Sequence, residues 1–223
     1  MLQPATLQFL KNLKKNNNKE WFDKNRKAYD AAKADFTELT NQVIKGFGKK
    51  EPAIAGLAGK DCLFRINRDI RFSKNKDPYK TNFASSIIEG GKKSMLAGYY
   101  FHIEPGGNSF SGGGRYMVEG DQLKKIRQEI DYSWKDFSSI IRSKKFAALY
   151  GDLEKGEGLS LVREPKGYDK SNPAIEYIKL TSWIATVPFT DADLTSKDLS
   201  KKIIHSFETL QPLIRFLNMA IVH

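Results

Sequence analysis

Apolar positions recur along this chain with two different periods, and the change between them separates helical ends from a strand-rich middle. Over the first 48 residues the spacing is helical. Pro4 suits a first turn, and Leu7, Phe9 and Leu10 supply a short stripe. Asn16-Asn17-Asn18 interrupts it. Asn18 is placed to cap the next helix, with Glu20 and Asp23 near its positive end. Phe22, Tyr29, Ala32, Phe36, Leu39, Val43 and Phe47 then continue at helical spacing until Gly46 and Gly48. At the other end, Leu199, Ile203, Phe207, Leu210, Ile214, Leu217 and Ile221 form a second long stripe. Thr195 is the expected cap there, with Asp198 three residues on, and Pro212 is expected to kink the helix.

The middle alternates at period two. In 63–73, Phe64, Ile66, Ile70 and Phe72 fall on one face, and Arg65, Asn67, Asp69, Arg71 and Ser73 on the other, which predicts a strand. Phe83–Ile88 reads as a further strand ending at Gly90-Gly91. The clearest is 96–104, with Tyr99, Phe101 and Ile103 on one face and Tyr100, His102 and Glu104 on the other. Residues 108–118, with Gly112-Gly113-Gly114, fit either a strand or a loop. Asp121 is the expected cap of a helix burying Leu123, Ile126 and Ile130, followed by a second helical or broken segment over 134–150. Ser160–Arg163 and Tyr177–Val187 look strand-like. Without an internal repeat or a proline- or serine-rich linker, the pattern predicts one α+β domain over 1–223. Its central, mainly antiparallel sheet would be flanked by N-terminal and C-terminal helices.

Composition narrows the partners. Lys and Arg number 37 against 26 Asp and Glu, a formal net charge of +11, which favours anionic partners. A small anionic molecule is the expected one and nucleic acid the alternative; a basic surface kept for solubility is the bland explanation. Cys62 is alone, so no intrachain disulfide forms, and a buried structural thiol is expected in a reducing compartment. No run approaches the roughly 20 apolar residues of a membrane helix, and no signal-peptide pattern opens the chain. The expectation is a cytoplasmic protein without membrane partners.

The candidate chemistry concentrates in FRINRDIRFSKNKDPYKT, residues 64–81. Arg65 and Arg71, with Asn67 between them, put planar guanidinium forks on the polar face, suited to phosphate or carboxylate. Lys80, Tyr79 and, from the later loop, Lys166 are candidates to complete an anion site. Arg68 falls on the apolar face of the strand pattern. It demands a carboxylate partner such as Asp69 or Glu104, a bulge, or a different register. His102, Glu104 and Asp69 are the candidates for acid–base work. Three scattered histidines and one cysteine make no zinc constellation, a carboxylate-held magnesium site stays open, and no cofactor is specified. Gly90-Gly91-Lys92-Lys93-Ser94 lacks the earlier glycine of a phosphate loop, since Ser86 stands there.

The same run resembles the signature of a bacterial family, domain of unknown function 2461. Gly98-Tyr99-Tyr100-Phe101-His102-Ile103-Glu104-Pro105-Gly106 and Gly112-Gly113-Gly114 extend the resemblance. So do Leu123 with Arg127 and Ile130, and Pro165-Lys166-Gly167-Tyr168-Asp169 with Pro173. Met117-Val118-Glu119 departs from it where a proline usually enters the next helix. The resemblance implies a single-domain bacterial protein and supplies no catalytic residues. From the residues themselves, the expectation is a binder of an anionic, phosphate-bearing small ligand at 64–81. An acid–base or metal-assisted enzyme, a nucleic-acid binder and a purely structural or interaction protein stand as alternatives, with the oligomeric state open.

Overall fold

The computed structural model describes all 223 residues. It is α+β: ten helices and one four-stranded antiparallel sheet, with helices at both ends of the chain. The helices are α1 (Pro4–Lys15), α2 (Lys19–Lys24), α3 (Arg26–Phe47), α4 (Gly59–Cys62), α5 (Gly120–Tyr132), α6 (Trp134–Ile141), α7 (Lys144–Tyr150), α8 (Ile175–Ile178), α9 (Asp191–Leu194) and α10 (Leu199–Val222). The strands are β1 (Phe83–Ile87), β2 (Gly98–Ile103), β3 (Ser109–Arg115) and β4 (Trp183–Phe189), paired in chain order. No helix is long and apolar enough to cross a membrane.

The chain divides into two compact units. One comprises Met1–Lys93, Tyr100–Ser111 and Pro188–His205; the other comprises Ser94–Tyr99, Gly112–Val187 and Ser206–His223. In the first, Pro4 occupies the opening turn of α1, and Asn18 accepts the Trp21 N–H to start α2, as the sequence predicts. A second asparagine, Asn25, separates α2 from α3. Phe9, Phe22, Tyr29 and Phe83 pack ring against ring, and Phe36 joins Phe83 to Phe101 of β2.

In the second unit, Phe137 packs on Tyr177 and Phe216, and buried Trp183 donates its indole N–H to Tyr177 O at 3.0 Å. The triple glycine forms the end of β3, because the neighbouring backbones lie too close for a side chain. A Cβ on Gly113 would fall onto Gly98 O and 3.1 Å from Tyr99 Cα.

Several expected elements change. Residues 63–73 are not a strand. Only isolated bridges Leu63–Ser85 and Asn67–Tyr79 remain, and between 67 and 79 the chain makes a long exposed loop. The alternation there does not follow burial, for Phe72 is 94% exposed and Phe64 43%. Asp69 accepts the Arg71 N–H and Asn75 the Asp77 N–H, so side chains satisfy backbone that a ladder would otherwise use.

Tyr177 lies in the helical turn α8 and the last strand starts only at Trp183, while Ser160–Arg163 keeps a single bridge, Ser160–Leu180. Asp121 sits inside the first turn of α5, whose cap position is Glu119. Thr195 closes the short α9, which Thr190 and Asp193 cap reciprocally, and α10 begins later and runs through Pro212.

Candidate functional site

The site is built on β2. Period two turns Tyr99, Phe101 and Ile103 into the core and leaves Tyr100, His102 and Glu104 on the opposite face. Because β-strand neighbours two apart lie on one face, these three side chains bond in sequence. The Tyr100 hydroxyl lies 3.2 Å from His102 Nδ1, and His102 Nε2 lies 3.3 Å from Glu104 Oε2. Glu104 Oε1 also accepts the Thr81 hydroxyl at 2.8 Å and faces the Lys14 ammonium at 3.8 Å. Phe110 of β3 stacks on the His102 ring, with centroids 5.0 Å apart and planes at 10°. Phe64 meets Tyr100 edge-on at 6.2 Å.

Burial sets the protonation states. It pulls His102 below its ordinary value; Glu104 works against this and Lys80 works with it. Burial alone pushes Tyr100 up to about 12. A neutral imidazole beside a carboxylate donates from Nε2, so Nδ1 accepts and the Tyr100 hydroxyl donates to it. His102 and Glu104 keep only 14% and 18% of their side-chain surface exposed, so this chain of donors is largely shielded from water.

The cations of 64–81 separate into two groups. Arg71 closes a two-pronged pair on Asp69, at 3.0 and 2.7 Å, so these two candidates engage each other on the exposed loop. Arg68 finds no carboxylate, contrary to the expected ion pair. Its guanidinium fills the loop instead, donating to Asp77 O at 3.0 Å and Ser73 Oγ at 3.3 Å. The strand register that aimed it at the core does not exist, so the demand for a carboxylate lapses.

Arg65 and Lys80 form the second group. Lys80 Nζ stands 5.4 Å over the Phe64 ring, half-buried, and neither cation has a carboxylate within ion-pairing distance. Burial lowers Lys80, and Arg65 lowers it further, which places the two positive charges near one another.

Asn67 and Tyr79 face each other across the bridge at the base of the loop. Arg68 N–H donates to Pro78 O and Lys80 N–H to Ile66 O, so the outward backbone groups of Tyr79 point away from the ribbon. The Asn17 amide meets both of them, at 3.1 and 2.9 Å, and the Tyr79 ring stacks on Phe22 at 4.0 Å. Tyr79, expected as part of the anion site, is held here through its backbone and its ring, next to Lys80. Lys166 is exposed in the Pro165–Tyr168 turn of the second unit.

Lys80 thus stands within electrostatic reach of both His102 and Arg65, while Asp69 is paired with Arg71 in the loop and feels Arg65 as well. Sequence reading passed over Lys14, Thr81 and Phe110. Phe110 had a signal, since a short turn after β2 returns the next strand beside it; Lys14, on a remote helix, had none.

The glycines after β2 are not an open anion cradle, because the Gly106 and Gly107 N–H groups both donate to Asp191 Oδ1. Cys62 is buried, its thiol raised by that burial. No group of three or more His, Cys, Asp or Glu side chains is arranged to hold a metal ion.

No curated protein and no solved structure matches the chain. A family model does, over residues 5–216, and it covers the helical ends as well as the β2 site and the basic run. The chain therefore belongs to the family of conserved hypothetical proteins DUF2461.

Proposed function

We propose that the protein binds an anionic, phosphate-bearing small ligand between Arg65 and Lys80, over the Tyr100–His102–Glu104 face. The observation that carries this reading is a pair of like charges, neither of them with a carboxylate at ion-pairing distance; Asp69, within electrostatic reach of Arg65, is engaged by Arg71. Lys80 is half-buried, Arg65 adds to the cost of its charge, and neither has a carboxylate partner. A phosphate would relieve both at once, and the arginine fork offers it two parallel donors. The lone buried thiol of Cys62 fits a reducing, cytoplasmic setting for such a ligand.

The Tyr100–His102–Glu104 chain favours a second reading, acid–base chemistry on the bound anion. A neutral imidazole oriented by a carboxylate is poised to accept a proton at Nδ1 once a ligand group displaces the Tyr100 hydroxyl.

Calorimetric titration with inorganic phosphate, pyrophosphate and nucleoside monophosphates tests the first reading. Arg65→Ala with Lys80→Met should weaken binding more than tenfold while leaving the melting temperature unchanged. Equal affinity in the folded double variant removes the reading. Salt dependence separates the small ligand from a polyanion, because each neutralised phosphate releases counter-ions. Six contacts on DNA or RNA would cost about a thousandfold between 50 and 200 mM salt, whereas one or two phosphates in a formed site lose far less.

A further inference from the structure

We propose that Arg127 and the Pro165–Tyr168 turn form a second anion site, which takes the oxyanion of a small molecule, a carboxylate or a phosphate. Arg127 lies on α5 and is only 8% exposed. Of its guanidinium nitrogens, Nη2 reaches Leu180 O at 3.3 Å, while Nε is buried with no acceptor at all. No carboxylate stands within ion-pairing distance. Asp131, one turn further along α5, is exposed and its Oδ1 accepts the Asn172 amide at 2.6 Å.

A buried cation with neither a counter-charge nor a full set of acceptors is half of an interaction, since interiors hold charges that are paired and hydrogen-bonded. Three other arginines show the contrast. Arg71 is paired with Asp69, and Arg68 has a carbonyl and a hydroxyl. Arg115 also has a buried Nε without an acceptor, but its Nη2 meets the Gln122 side-chain oxygen at 3.0 Å, and it is the less buried of the two.

The turn supplies the remaining parts. Tyr168 N–H donates to Pro165 O, and Gly167 takes φ +93°, a left-handed conformation that lets the chain reverse there. The reversal leaves Tyr168 half-buried, within electrostatic reach of both Arg127 and Asp131. Its hydroxyl is a neutral donor for an oxyanion held on the Arg127 fork. Lys166 is exposed on the same turn.

The test uses the full chain carrying Lys80→Met, so that the Arg65–Lys80 site does not contribute. Phosphate and acetate are titrated separately at constant ionic strength, following the melting temperature and the Arg127 Nε–H resonance. The site predicts that at least one of them raises the melting temperature and shifts that resonance saturably. A response to acetate alone identifies a carboxylate ligand, and one to phosphate alone a phosphate ligand. Arg127→Met should weaken the response at least tenfold while being no less stable than its parent in anion-free buffer, because it removes an unpaired buried charge. Tyr168→Phe should weaken it by a smaller factor. If neither anion moves the resonance of the intact arginine, the site does not exist. Should Arg127→Met fail to fold, the resonance titration decides on its own.

Discussion

Asn17 is where the helical end of the first unit takes hold of the basic run, and replacing it tests how Lys80 is positioned. In the Asn67–Tyr79 bridge the backbone groups of Tyr79 that face away from the ribbon have only the Asn17 amide as partner, through Tyr79 N–H to Oδ1 at 3.1 Å and Nδ2 to Tyr79 O at 2.9 Å. Asn17→Ala removes both bonds and leaves a largely buried N–H and C=O unpaired. At about 1 kcal/mol per lost bond, with further cost where water cannot replace the amide, the loss should be about 2–3 kcal/mol. For a chain of this size that is a fall in melting temperature of about 4–12 °C.

Urea denaturation followed by circular dichroism gives the free energy, and amide exchange at Tyr79 and Lys80 should accelerate more than exchange in α10. Asn17→Asp adds a sharper signature. Its carboxylate keeps the bond to Tyr79 N–H but sets an oxygen against Tyr79 O. The folded state then favours the protonated acid, raising its pKa, so stability returns as pH falls and is lost as pH rises through that raised value. A loss under about 0.5 kcal/mol for Asn17→Ala, with unchanged exchange at Tyr79, would refute the reasoning and leave the Phe22–Tyr79 stack as the anchor.

Gly114 has φ +128°, and an added Cβ would collide with Trp183 O and lie 2.8 Å from Ile184 Cα; Gly114→Ala should cost about 3 kcal/mol or more, read as a lowered melting temperature or insoluble expression. His102 titrates below its ordinary 6.5, so the unfolded chain binds a proton there that the native state refuses. Stability should decline as pH drops through 6.5 towards the native value, and His102→Gln should flatten that decline in pH-dependent urea melts. Glu104→Gln removes the group that favours the imidazolium, and should move the His102 resonance to titrate at still lower pH. Cys62 is 1% exposed with a raised pKa; it should resist an aromatic disulfide reagent in the native state and react fully in denaturant, and rapid native labelling would contradict its burial.

What could be read from the sequence follows the reach of the forces that set each register. Helical register is local. The stripes of α3 and α10 needed no knowledge of their neighbours, and Asn18 capped the helix its position announced. The face of β2 was equally legible because its two rows differ so much, with Tyr99, Phe101 and Ile103 buried against Tyr100, His102 and Glu104. The run 64–73 shows the converse. Its alternation is as regular as that of β2, but a strand exists only where a partner backbone accepts its bonds. Here Asp69 and Asn75 accept backbone N–H groups of the loop, and the Arg68 guanidinium donates to the Asp77 carbonyl. Period two on paper therefore named the right residue types and the wrong neighbours, sending Arg68 towards a carboxylate it never meets.

Arg127 marks the difference between the two kinds of inference. It stands four residues after Leu123 and three before Ile130, so helical spacing alone places a cation on a buried stripe, and the structure buries it there. A charge on the apolar face of a helix can be taken at its word, because the period that puts it there is intrinsic. The same charge on the apolar face of a proposed strand first questions the strand. Applied to this chain, that rule moves the unpaired buried cation from the expected strand, where the alternation put it, to α5, where the Leu180 carbonyl meets Arg127 but no carboxylate stands within ion-pairing distance.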